Sequence, residues 1–188
     1  YYYYHGLRCI EEHNSLHEPT KQYVWGDYID ELLQQTLLVP LNGFSSGSSL
    51  YPIQDIHYRT IALADASGTI REAYDFDVHG STIIFRDAGS PPPPVAFEST
   101  DTQVSAATCD FLFTGQRFDA ETGLYYFKCR FYSPIWARFL SKDPASYAAL
   151  SNSYEYVRAN PARLLDPLGL FQIQRHHWFS QLGGKGQG

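Results

Sequence analysis

The 188-residue chain is 44% hydrophobic and 18% charged, the balance of a soluble globular protein rather than of a disordered one. Its formal charge of -6 and scattered basic residues argue against a phosphate-binding surface, because nucleic-acid affinity rests on clustered Lys and Arg. The longest apolar run, Leu37-Leu38-Val39-Pro40-Leu41, contains a proline and falls far short of the roughly 20 residues that cross a bilayer, so no membrane span is expected.

The aromatic content is high, with 15 Tyr, 12 Phe and 3 Trp against no Met, and these residues favour a half-buried pleated surface. A sheet-rich protein is expected. The missing Met and the opening Tyr1-Tyr2-Tyr3-Tyr4 read as a piece of a longer chain, which leaves secretion open. Cys9, Cys109 and Cys129 are odd in number and far apart, so they form neither a disulfide framework nor a metal knuckle. They read as buried apolar thiols.

In chain order, Leu7-Arg8-Cys9-Ile10-Glu11-Glu12 and Gln22-Tyr23-Val24-Trp25-Gly26 are strand candidates around a polar turn, hence a hairpin. The tract Asn42-Gly43-Phe44-Ser45-Ser46-Gly47-Ser48-Ser49 reads as a loop. Thr60-Ile61-Ala62-Leu63, the turn Asp65-Ala66-Ser67-Gly68 and the run from Thr69 to Phe76 form a second hairpin, and Ser81-Thr82-Ile83-Ile84-Phe85 extends it into a meander. Asp87-Ala88-Gly89-Ser90 then leads into four prolines, Pro91 to Pro94, which favour an extended segment without ladder donors. The two aromatic-rich units are loosely alike, the pattern of a stacked repeat.

Beyond them, Gly123 closes a turn before Leu124-Tyr125-Tyr126-Phe127-Lys128-Cys129-Arg130-Phe131-Tyr132. As one strand this run would place Tyr125, Phe127, Cys129 and Phe131 on one face, and Tyr126, Lys128, Arg130 and Tyr132 on the other. Arg130 would then project away from the more apolar face. There follow Arg138-Phe139-Leu140-Ser141-Lys142-Asp143-Pro144, Tyr154-Glu155-Tyr156-Val157, Asn160-Pro161 and Asp166-Pro167-Leu168-Gly169-Leu170.

This order of motifs resembles the Rhs repeat-associated core: a G-x-x-x-D-x-E-T-G-L-Y-Y turn and strand, R-F-L-S-x-D-P, Y-x-Y-V-x-x-N-P and a terminal D-P-x-G-L. Upstream, Tyr23-Val24-Trp25-Gly26, Ala64-Asp65-Ala66-Ser67-Gly68 and Tyr74-Asp75-Phe76-Asp77-Val78-His79-Gly80 resemble degenerate YD-repeat units. The resemblance implies a mainly β fold, an antiparallel meander of shell hairpins closed by a core with short helical or irregular segments. It divides the chain into hairpins over residues 1–110, the core over 111–170 and the truncated start of a variable cargo over 171–188.

The resemblance further implies a C-terminal shell end that houses a toxin and releases it by aspartic self-cleavage after Leu170, at the Leu170 to Phe171 bond. Asp143 and Asp166 match the family's cleavage pair and Arg130 its supporting cation. Independently of the family, two adjacent carboxylates share a proton, so that one activates water while the other protonates the leaving group. One departure is Asp143-Pro144-Ala145-Ser146, where the family reads D-P-x-G. An Asp-Pro pair is also a common turn opening.

The implied partners are the chain's own cargo and the rest of the shell, with a secretion system or immunity protein beyond them, in a secreted or cell-surface bacterial setting. No nucleic acid and no cofactor are expected for the shell itself. Two other readings stand beside this one: a catalytically inactive shell fragment and an extracellular cell-contact module. His176-His177 is similar to the start of some His-metal nuclease cargoes, although a short Gly-rich tail has little to bury. His57, His79, His176 and His177 show no ligand spacing, so no metal site is expected.

Overall fold

The computed structural model describes residues 1–86, 98–99, 108–145, 152–170 and 174–175. Among these, nine strands form one antiparallel sheet whose spatial order is the chain order. They are β1 (Tyr2–His5), β2 (Arg8–His13), β3 (Pro19–Trp25), β4 (Leu32–Leu37), β5 (Ser48–Gln54), β6 (Thr60–Asp65), β7 (Ile70–Phe76), β8 (Thr82–Arg86) and β9 (Glu98–Ser99). The fold is therefore a mainly β meander.

The sheet buries one face. Strand alternation sends Tyr23, Leu37, Leu50, Leu63, Tyr74 and Ile84 into a common core, while Val24, Ile61 and Ile83 turn to solvent. The hairpin turns share one device. Asp55, Asp65 and Asp77 each use Oδ1 to accept backbone N–H groups two and four residues on, which closes the turn locally. At Asp77 the turn ends in Gly80 (φ +93), where a Cβ would meet the Phe113 ring at 2.6 Å.

The sheet also recruits segments that the sequence does not mark. The opening tyrosines form β1, residues 32–37 form β4, and Ser48 and Ser49 of the expected loop begin β5. The proline run 91–94 lies outside the described residues.

After residue 108 the chain returns across the buried face. Glu72 receives it: its carboxylate accepts the Thr108 N–H (3.0 Å) and hydroxyl (2.6 Å) and the Tyr74 hydroxyl (2.5 Å). Asp110 accepts from Lys21 Nζ (2.5 Å) and the Tyr23 hydroxyl (2.7 Å), while Thr60 donates to the Phe111 carbonyl (2.7 Å). These partners supply hydrogen bonds to a polar segment that crosses an apolar core. A 3-10 turn at Phe113–Gly115 then leads into a second sheet, β10 (Arg117–Asp119), β11 (Leu124–Tyr126), β12 (Phe131–Ser133) and β13 (Arg138–Phe139).

That sheet wraps an aromatic cluster. Phe127 lies 5.4 Å from both Tyr132 and Phe139 between ring centroids, and Tyr132 lies 4.8 Å from Tyr156. The Phe127–Phe139 pair is edge-on, an arrangement that adds about 0.5–1.5 kcal/mol beyond the buried area. Tyr156 precedes a 3-10 turn at Val157–Ala159, and the short β14 (Leu164–Leu165) pairs with β15 (Gln174–Arg175). The irregular segments anticipated for the core are these turns.

The expected continuous strand over residues 124–132 does not form. The chain turns at residues 127–130, with Lys128 at φ +62, the Cys129 N–H donating to Phe127 O (2.6 Å) and the Phe127 N–H donating to Arg130 O (2.8 Å). This turn resets the alternation. Tyr125 and Phe127 are buried as expected, but Tyr132 and Arg130 also point inward, and Phe131 is 41% exposed. Cys129 is exposed too, so the expectation of three buried thiols holds only for Cys9 and Cys109.

Candidate functional site

The reset alternation places a cation against the aromatic cluster of the second sheet, where Arg130 is buried. Arg130 Nη2 lies 3.1 Å from Asp143 Oδ2 and 3.3 Å from Asp166 Oδ2, and the side chains of Arg130 and Asp143 are each 2% exposed. One guanidinium nitrogen thus bridges both carboxylates. The remaining donors are used as well: Nη1 reaches Ser153 O (3.2 Å) and Nε donates to Gly169 O. The plane of charge sits over the Phe139 ring, 3.6 Å from its centroid, in a cation–π contact.

Each carboxylate is set by its own Asp-Pro turn. The Asp143 N–H donates to Ser153 O (3.0 Å) and its Oδ1 accepts the Ala145 N–H (2.7 Å). Asp166 accepts the Leu170 N–H on Oδ1 (2.9 Å), while its backbone carbonyl accepts the Gly169 N–H (3.3 Å). The sequence therefore folds the Asp166 carboxylate onto the amide of the last residue of its own motif. Gly169 (φ +65) permits this approach, since a Cβ there would stand 2.8 Å from Phe127 O.

Burial pushes Asp166 up to about 7, against the opposing pull of the Arg130 guanidinium and the Leu170 and Gly169 amides; Asp143 adds a further upward push. Burial also lowers Arg130, and both carboxylates work against that fall. Near neutral pH the cluster can therefore hold one proton on a carboxyl group beside a guanidinium. That is the condition for a carboxylic acid and a carboxylate to act together.

The sequence-derived site residues Asp143, Asp166 and Arg130 thus come together, and Leu170 adjoins them, whereas Phe171 lies outside the described residues. Of the alternative histidines, His57 contacts Ala162 O (3.0 Å), and the backbone carbonyl of His79 accepts the Tyr132 hydroxyl (3.0 Å). His176 and His177 are outside the described residues, among which no group of three His, Cys, Asp or Glu could hold a metal ion. Lys128, Gly169, Phe139 and the Ser153 carbonyl belong to the site but escaped the sequence reading. Phe139 and Gly169 lie inside the quoted motifs, and Lys128 two residues beyond the first of them.

A one-sided antiparallel meander whose buried face is covered by a second, aromatic-rich sheet of the same chain defines a mainly β protein. The tRNA3(Ser)-specific nuclease WapA of Bacillus spizizenii is 29% identical over 185 residues, covering 94% of this chain and 6% of that protein. Toxin subunit YenC2 of Yersinia entomophaga is 48% identical over 58 residues, 31% of this chain and 6% of that protein. The crystal structure of TcdB2-TccC3 matches 84% of this chain and 7% of that one, with a TM-score of 0.60 at 26% identity. No protein-family model matches. The chain belongs to the Rhs/YD-repeat family, and it spans only about one sixteenth of the length of these relatives.

Proposed function

We propose that this chain is the closing end of an encapsulating shell that houses a C-terminal toxin, and that it cuts the peptide bond between Leu170 and Phe171 once, in cis. In this reading residues 1–110 are shell hairpins, 111–170 the closing core and 171–188 the beginning of the cargo. The full protein is secreted or displayed at a bacterial cell surface, and its export and immunity partners lie beyond this chain. Among the described residues no helix is long and apolar enough to cross a membrane.

The observation that carries the reading is the single guanidinium between two buried carboxylates, one of which holds the Leu170 amide. In the reaction, Asp143, ion-paired to Arg130, takes a proton from water, whose oxygen attacks the Leu170 carbonyl carbon. Asp166 gives its proton to the Phe171 nitrogen as the C–N bond breaks. The new Leu170 carboxylic acid passes its proton to the Phe171 amine, leaving a carboxylate and an ammonium with the shared proton now on Asp143, so atoms and protons balance without a cofactor.

The test is the intact mass of the purified full chain. Loss of residues 171–188, abolished by Asp143→Asn and by Asp166→Asn, supports the reading. A catalytically silent shell end is the second reading, favoured by Ala145-Ser146 standing where the family carries x-Gly after Asp143-Pro144. A wild-type chain that stays whole selects it.

A further inference from the structure

The buried ion pair between Lys128 and Asp30 stands apart from the two carboxylates yet touches the same segment. Lys128 Nζ donates to Asp30 Oδ1 (2.6 Å), Gln116 Oε1 (2.8 Å) and Pro167 O (3.0 Å), so all three of its donors are engaged. The next residue, Cys129, donates its N–H to Leu168 O (3.1 Å), and Arg130 donates Nε to Gly169 O. Three consecutive residues of the 127–130 turn therefore grip three consecutive carbonyls leading to Leu170. Lys128 accepts a positive φ, which for a non-glycine residue costs energy, to begin this series.

Asp30 belongs to the other half of the molecule, on the loop between β3 and β4, 98 residues before Lys128. Its backbone carbonyl accepts from Gln54 Nε2 of β5 (3.1 Å), which ties the loop to the sheet. The closing core sits directly on it: a Cβ at Gly115 would meet Asp30 O at 2.5 Å and Asp30 Cβ at 2.6 Å. A charge on a loop tied to the sheet is thus one side chain away from the cleavage segment.

We propose that Lys128 is a positioning residue for the cleavage, and that Asp30, acting through it, makes cutting depend on docking of the closing core against the sheet. This rests on the self-cleavage reading above. Without Asp30 the Lys128 ammonium loses its counter-charge and its fixed direction, and the Pro167 carbonyl loses its donor. The Asp166 turn and the Leu170 amide bonded to it then sample other geometries. An undocked core would leave the bond uncut, so the cargo would be freed from the shell chain only after the shell has closed.

The test uses the full chain and follows the first-order loss of residues 171–188 by intact mass after refolding from denaturant. Lys128→Met and Asp30→Asn are each expected to slow cutting about tenfold or more, the effect of one buried charge-assisted bond. The double variant should be no slower than Lys128→Met, and Lys128→Arg, which keeps a cation within reach, should recover part of the rate. In an Asp143→Asn chain, which stays whole, Lys128→Met should speed hydrogen exchange at the Cys129, Gly169 and Leu170 amides while β3 and β6 keep their protection. A merely structural role would instead loosen β10 to β13 together.

Wild-type cutting by Lys128→Met would overturn the positioning role and leave the peptidase standing. Wild-type cutting by Asp30→Asn would overturn the coupling to docking. A wild-type chain that stays whole would remove the peptidase, and exchange alone would then decide whether Lys128 orders the segment; unchanged exchange overturns that as well.

Discussion

Asp166 should impose a pH dependence on stability that one substitution removes. Its carboxyl is raised by burial from 3.8 to about 7, so the folded state binds this proton more tightly than the unfolded chain does. The associated stability is fully present below about pH 4, is lost as pH rises towards 7, and is flat above. A shift of roughly three units corresponds to about 4 kcal/mol at most. The comparison is between Asp143→Asn and the Asp143→Asn/Asp166→Asn double variant, both of which should keep the chain whole under the proposed mechanism. Burial, the leading cause of the shift, survives in that background. Urea unfolding from pH 4 to pH 8 should show the double variant gaining roughly 2–4 kcal/mol relative to the single one as pH rises. Parallel stability curves across this range would refute the assignment of a buried, proton-holding Asp166.

Other consequences concern the scaffold. Glu72→Ala would remove the acceptor of the Thr108 N–H and of the Thr108 and Tyr74 hydroxyls, and should cost about 2–4 kcal/mol in urea unfolding. Gly169→Ala pushes a methyl group against Phe127 O at a positive φ and should cost about 1–3 kcal/mol, with cleavage slowed in proportion to the displaced Leu170 amide. A thiol reagent should modify Cys129 alone in the native chain. Cys9 and Cys109, raised by burial to about 11 and about 12, should react only after denaturant is added.

Legibility in the sequence followed local chemistry. Hairpins closed by Asp65 and Asp77 could be read because the turn is built from residues within four positions of the aspartate. β4 was hidden because Leu32-Leu33-Gln34-Gln35-Thr36-Leu37 lacks a clean alternation: buried Gln35 uses its Nε2 to hold the Thr108 carbonyl (2.8 Å) from 73 residues away. The run from Leu124 to Tyr132 was misread because nothing local announces a lysine at positive φ. That conformation is stabilised by distant acceptors, Asp30 and Pro167, which composition does not reveal. Arg130, Asp143 and Asp166 were named through the motif resemblance, whereas their convergence and the inward turn of Arg130 belong to the tertiary fold.

The most direct measurement is the mass of the purified full chain beside its Asp143→Asn and Asp166→Asn variants. The account predicts a wild-type product ending at Leu170 and two variants that keep residues 171–188. A whole wild-type chain, or variants cut as readily as wild type, would contradict it.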